Sequence, residues 1–206
     1  MMSKVEKVKV WDPAVRLFHW SLVLLFFVAY FTGEDEGSIH IYAGYTICGL
    51  VTFRIIWGFI GSRYARFSDF VYGPSAVKKY LESLIARNPT HYIGHNPAGG
   101  WMVILLLISI SLISWSGLEV YGAEGHGPLA KSEIQLISVA HADSDHEGGD
   151  SEEEEFWEEI HEFISNFTLF LVFIHIAGVA ASSHLHKENL PRAMVTGYKE
   201  ISSENE

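Results

Sequence analysis

Polar and apolar positions in this chain fall into long blocks, with little of the short alternation of a soluble sheet. Residues 15–32 (VRLFHWSLVLLFFVAYFT), 39–60, 101–118 and 162–181 are nearly continuous in apolar side chains. Each block approaches the ~20 residues that carry an α-helix across a hydrocarbon core of ~30 Å. The pattern predicts an all-α membrane protein, a four-transmembrane-helix bundle in which residues 1–206 form one integral-membrane domain. Between the second and third blocks, PSAVKKYLESLIARNP reads as an amphipathic helix at the membrane surface, opened by Pro74 and closed by Pro89. Residues 119–155 predict an acidic, flexible loop, and the chain shows no internal repeat.

The first block has the basic lead and apolar centre of a secretory signal. It lacks a small-x-small cleavage pattern, and its large aromatics continue to Tyr30 and Phe31. It is therefore read as a retained helix. Lysine and arginine then set the orientation. Lys4, Lys7, Lys9 and Arg16 lead the first span, Arg63, Arg66, Lys78, Lys79 and Arg87 follow the second, and Lys187, Arg192 and Lys199 follow the fourth. The other two connections hold Lys131 alone. The positive-inside rule places both termini and the middle connection in the cytoplasm of a bacterial inner (plasma) membrane protein.

Overall, 49% of residues are hydrophobic and 14% aromatic, yet the formal net charge is −11. The acidic residues gather on the outer side, at Glu34, Asp35 and Glu36 and in a run that includes Glu152, Glu153, Glu154 and Glu155. Such a run is commonly a solvated tail; it also suits a docking surface that steers a basic partner. Nucleic acid is not an expected partner of so acidic a chain; membrane lipid is. His126, His141 and His146 lie among these carboxylates as candidate copper or zinc ligands, without a fixed ligand spacing.

The spans themselves carry the candidate chemistry. In IHEFISNFTLFLVFIHIAGVAA, His161 and His175 stand fourteen residues apart, about 3.9 turns and about 21 Å along one helix face. An ionisable group at such a depth is functional by default. A lone membrane histidine can also serve merely to bond a neighbouring helix, but here two share one span and two more open other spans. His19 opens the first span at the inner side, and His40 opens the second at the outer side. Depth therefore pairs His40 with His161 and His19 with His175, four metal-ligating candidates for two centres stacked across the bilayer.

Cys48 is the one cysteine and C-x-x-C-H is absent, which excludes a disulfide within the chain, an iron–sulfur cluster and covalent c-type attachment. A haem here is expected to be b-type, with imidazoles on both axial positions, an arrangement suited to electron transfer. Gly44 and Gly178 lie one turn from His40 and His175, where a missing side chain admits a flat ring; glycine is also common where membrane helices pack. Arg54 shares the His40 face near the inner surface. It is a candidate partner for a propionate of the inner haem, with snorkelling to lipid headgroups as the competing reading. Trp20, Trp57, Trp101 and Trp157 sit near span ends as interfacial anchors.

The segments VWDPAVRLFHW, HIYAGYTICGLVTFRIIWGFIGSRYARFSDF, IHEFISNFTLFLVFIHIAGV and ENLPRAMVTGYK resemble the bacterial cytochrome b561 family, which includes the cytochrome b subunits of nickel–iron hydrogenases. The resemblance covers nearly the whole chain outside 119–155. It implies two haem b groups on His19, His40, His161 and His175, and respiratory electron transfer between a membrane quinone and a periplasmic partner such as a c-type cytochrome. It also implies a quinone near the cytoplasmic haem, by the first and fourth spans and residues 63–72. Two other functions stay open at this point: a stand-alone membrane oxidoreductase fed by a small donor such as superoxide, and a haem-free anchor or metal-ion permease. The acidic outer stretch departs from the shortest family members and leaves the partner undecided.

Overall fold

A computed structural model of the chain describes residues 5–33, 37–130 and 147–202. In order, these form β1 (Val5–Lys9), α1 (Pro13–Phe31), α2 (Ser38–Ile60), a single 3-10 turn (Arg63–Ala65), α3 (Phe67–Phe70), α4 (Pro74–Ile85), α5 (Pro97–Ala123), α6 (Glu147–His186), α7 (Leu190–Thr196) and β2 (Tyr198–Ser202). Among the described residues, four helices are long and apolar enough to cross a membrane: α1, α2, α5 and α6. α5 packs along α6 and α1 along α2, and contacts between α2 and α5 join the two pairs. The protein is a four-helix membrane bundle, as the apolar blocks require.

Local chemistry sets where these helices begin. Asp12 precedes Pro13, and its carboxylate accepts from the Val15 N–H at 2.9 Å. The proline lacks a donor at a position where no helical acceptor exists. Asn96 before Pro97 repeats the arrangement, accepting from the Gly99 N–H at 2.7 Å. Asp12 also accepts from Trp57 Nε1 at 3.2 Å and from the Ser62 hydroxyl, and so fastens the start of α1 to the end of α2.

The interior is thin. Ile47 and Val51 of α2 meet Ile110 of α5, with Leu22, Leu25 and Ala29 of α1 packed around them. The buried Ser109 hydroxyl pairs with Thr168, a polar clasp between α5 and α6. Most large apolar side chains instead point outward, among them Leu17, Phe59, Phe163 and Phe173. An unpartnered apolar belt of this extent is what lipid tails cover.

Two features differ from the sequence expectation. The helices outrun their apolar blocks: α5 continues to Ala123, and α6 begins at Glu147 rather than near residue 162. Much of the acidic run is thus the first part of a helix. Glutamate is a good helix former, and negative charge is favoured near a helix N-terminus. Residues 131–146, with His141 and His146, lie outside the described residues.

The second difference is the ribbon at the chain ends. β1 pairs antiparallel with β2, from Val5 opposite Ser202 to Lys9 opposite Tyr198. Gly197 ends α7 with φ 88°, a left-handed conformation that glycine alone adopts without cost. Its carbonyl accepts from the Val10 and Trp11 N–H groups at 2.9 and 3.1 Å. Val10, Trp11 and Ala193 close a small apolar cluster beneath it. Residues 5–11 and 197–202 are therefore held together at one end of the bundle, here the terminal end; the opposite end is the distal end.

Candidate functional site

The distal pair is the better defined of the two histidine pairs. His40 in the first turn of α2 faces His161 on α6, with ring centroids 6.0 Å apart and planes at 80°. Metal–nitrogen bonds of about 2 Å on each side put the rings of an imidazole–metal–imidazole axis at about this separation.

Their hydrogen bonds fix the tautomers. His40 Nδ1 lies 2.9 Å from the Ala29 carbonyl oxygen. A carbonyl only accepts, so Nδ1 carries the proton and Nε2 keeps its lone pair. His161 Nδ1 lies 2.9 Å from Ser116 Oγ, whose own proton is directed to the Ile113 carbonyl at 3.1 Å. The serine oxygen then accepts from Nδ1, and Nε2 of His161 is likewise left as a lone-pair donor. Metal-bound histidines are held in this way by a bond on the other ring nitrogen. Gly117 makes the approach close: a Cβ there would lie 3.0 Å from the His161 ring. At Gly44 a Cβ would meet nothing within 4 Å, so the space one turn beyond His40 is open.

At the terminal end, His19 on α1 and His175 on α6 stand within electrostatic reach of each other. The surroundings are rich in unanswered donors. Arg16 Nε, His19 Nδ1, Arg54 Nη1 and His95 Nδ1 are buried with no hydrogen-bond partner among the described residues. Arg54 is 3% exposed, so it does not reach headgroups; its guanidinium lies over Phe67 and Phe70, 5.3 and 5.9 Å from their centroids. Buried donors left unpaired, a guanidinium above all, are costly. A bound anionic group such as a haem propionate would answer them. The residues therefore fit a haem b with histidine ligands.

His95 escaped the sequence reading. Its ring sits 4.6 Å from both Trp11 and Phe70, centroid to centroid. Burial, reinforced by Arg54, Lys199 and His175, pushes it down to about 3, and it is neutral. Its position just before the Asn96–Pro97 helix start was the available signal. A second overlooked group lies nearby, where Glu188 joins His91 and Lys199.

Of the outer histidines, the described His126 stacks on Tyr121 at 5.3 Å and lies 3.9 Å from Glu124. Among the described residues no group of three or more His, Cys, Asp or Glu side chains is arranged to hold a metal ion.

Residues 10–197 match the family model described as prokaryotic cytochrome b561. The chain is 25% identical to a probable Ni/Fe-hydrogenase B-type cytochrome subunit of Azotobacter chroococcum mcd 1, covering 96% of this chain and 90% of that one. It is 25% identical to the similarly named protein of Rhizobium leguminosarum bv. viciae over 59% of this chain and 62% of the relative. With a probable Ni/Fe-hydrogenase 1 B-type cytochrome subunit of Escherichia coli (strain K12) it shares 28% identity over 54% of this chain and 59% of the relative. The chain thus spans less than two thirds of the Rhizobium and Escherichia coli relatives. No solved structure matches.

Proposed function

The chain belongs to the prokaryotic cytochrome b561 family, and on that premise we propose that it carries electrons across a bacterial inner membrane, between the quinone pool and a periplasmic redox partner, through two b haems. It is a multi-pass membrane b-type cytochrome of electron transfer. The observation that carries the finer reading is the distal pair, two imidazoles at 6.0 Å with their Nε2 lone pairs free. His40 and His161 would hold one haem and His19 and His175 the other, each through two imidazoles.

Each haem, when bound, supplies an iron that takes up and returns one electron. The protein's part is placement. α6 sets the two centres two histidines and about 21 Å of helix rise apart. Arg54, buried at the terminal end with an unpaired Nη1, would neutralise a propionate of a haem bound there, and Gly44 would leave room for a flat ring at the distal end. With the terminal end in the cytoplasm, the orientation that the lysines and arginines favour, quinone reacts beside His19 and His175. The distal end, with the acidic start of α6, meets the periplasmic partner. A c-type cytochrome suits that face by charge, and the names of the relatives raise a hydrogenase as the other candidate.

The test is reconstitution of the haem-loaded protein in lipid nanodiscs. A quinol analogue should reduce the haems within the mixing experiment, and a basic c-type cytochrome or a hydrogenase, added separately, should exchange electrons with them. Haems reducible by dithionite and inert to every quinol would overturn the quinone half of the reading.

A further inference from the structure

The terminal end also holds a connected set of dissociable side chains that no haem contact requires. Lys199 of β2 is 6% exposed, and its Nζ lies 3.2 Å from Glu188 Oε2 and 3.2 Å from the Tyr92 carbonyl. The other oxygen of Glu188 meets His91 Nε2. The His91 ring packs edge-to-face on His186, the last residue of α6, with centroids 5.6 Å apart. His186 Nε2 lies 3.4 Å from the Tyr80 hydroxyl, at the buried centre of α4. That hydroxyl also lies close to the side chains of Ser182 and Asn96, and Asn96 Nδ2 reaches Ser182 Oγ at 3.5 Å.

The set begins near the aqueous surface and ends inside the bundle. Ser182 follows His175 by seven residues, two turns and about 10 Å along the same face of α6. Packing alone does not account for it. Buried ions are expensive, and apolar residues of equal volume would join β2 to α6 at least as firmly. A run of hydroxyl, imidazole and carboxylate groups, hydrogen-bonded from Glu188 to His91 and from His186 to Tyr80 and continuous through the His91–His186 ring contact, can hand a proton along.

We propose that His186, Tyr80 and Ser182, loaded through Glu188 and His91, form the path by which protons pass between the cytoplasmic aqueous phase and a quinone bound at the terminal end. This rests on the quinone reading above. Oxidation of one quinol to quinone releases two electrons and two protons. The electrons go singly to the haem irons and the protons leave by this path, and reduction of quinone runs both in reverse. The titratable groups facing Tyr80 and His186 are His91 and Tyr92 from the α4–α5 connection, Glu188 from the α6–α7 connection and Lys199 from β2. They bring positive and negative charge to the same small volume, so a proton arriving or leaving meets no uncompensated field.

The experiment compares the parent with Tyr80→Phe and Ser182→Ala, haem-loaded and in nanodiscs, by stopped-flow reduction with decylubiquinol across pH. A positioned proton-transfer group contributes roughly 100- to 10,000-fold. Tyr80→Phe should therefore slow quinol-driven haem reduction by about 100-fold, and Ser182→Ala in the same direction. Reduction by dithionite, which needs no proton path, should keep its parent rate, and haem content and spectra should not change. A small weak acid such as formate should restore part of the lost rate, which it would not do for a misfolded site. If Tyr80→Phe fails to bind haem, Ser182→Ala decides. Parent rates with quinol in the variants would overturn the path and leave the quinone reading standing. A parent that quinol does not reduce would overturn both.

Discussion

Ser116→Ala removes one hydroxyl that is 1% exposed and touches the distal histidine pair without being a ligand. Its oxygen accepts from His161 Nδ1 at 2.9 Å and its proton goes to Ile113. With alanine there, the imidazole N–H loses its side-chain partner in an apolar span, a cost of about 1–3 kcal/mol. The same ring loses the bond that fixes its tautomer, and outer partners of metal ligands are worth about 10- to 100-fold in affinity. The two figures agree, since tenfold is about 1.4 kcal/mol. Distal haem affinity should fall by that factor, with the terminal haem unaffected because His175 lies about 21 Å along α6. Ser114→Ala is the control on the same helix: the Ser114 hydroxyl is buried with no partner among the described residues. The assay is haem transfer to excess apomyoglobin, followed through the two spectral components. Equal distal retention in Ser116→Ala and parent, or a loss confined to the terminal component, would refute the assignment of His161.

Three further outcomes are expected. A pyridine haemochrome assay should give two b haems per chain; His161→Ala should lose the distal one and His175→Ala the terminal one, and the reverse assignment would invert the topology. Exchanging Glu152, Glu153, Glu154 and Glu155 for glutamine should slow electron transfer to a basic c-type cytochrome at low salt and leave haem spectra alone; steering of this kind contributes about 10- to 1,000-fold to association, and a rate flat against ionic strength would refute it. Burial raises the Asp12 carboxyl, but hydrogen bonds from Ser62, Val15 and Trp57 outweigh it and hold the group below its ordinary value. The folded pKa is depressed, so the stability it adds is present above about pH 3.9, the unfolded value, and is lost as pH falls through the folded value. Asp12→Asn should flatten the acid limb of a thermal-stability profile below about pH 4, and an unchanged limb would count against the Asp12 fastening.

The spans were legible because a bilayer imposes one length on every crossing helix, and 15–32 or 39–60 has few other uses. The distal pair was legible from depth alone, and His40 does face His161 at 6.0 Å. What escaped depends on contacts remote in sequence. VEKVK carries a weak strand alternation, but its partner lies at Tyr198–Ser202, and no local rule points there. Lys199 read as one more cytoplasmic charge, whereas it is buried against Glu188. The acidic residues after 147 read as a solvated loop because charge density masks helix propensity, yet they continue α6. His95 stood in a short loop with nothing periodic around it; its place before the Asn96–Pro97 helix start was a weak signal, and its packing between Trp11 and Phe70 shows only in the fold.

The pairing of β1 with β2 has a consequence for the order of synthesis. Val5 leaves the ribosome nearly two hundred residues before Ser202, its partner in the ribbon. Until then β1 has no partner strand, Trp11 lacks the Gly197 carbonyl, and Glu188 has no lysine beside it. The latch closes only on a chain whose fourth helix has already come back to the side where the first began. A nascent chain with one span left out would bring its two ends to opposite faces of the membrane, where no ribbon can form. Such a chain would leave VEKVK unpaired and open to the proteases that clear unassembled membrane proteins.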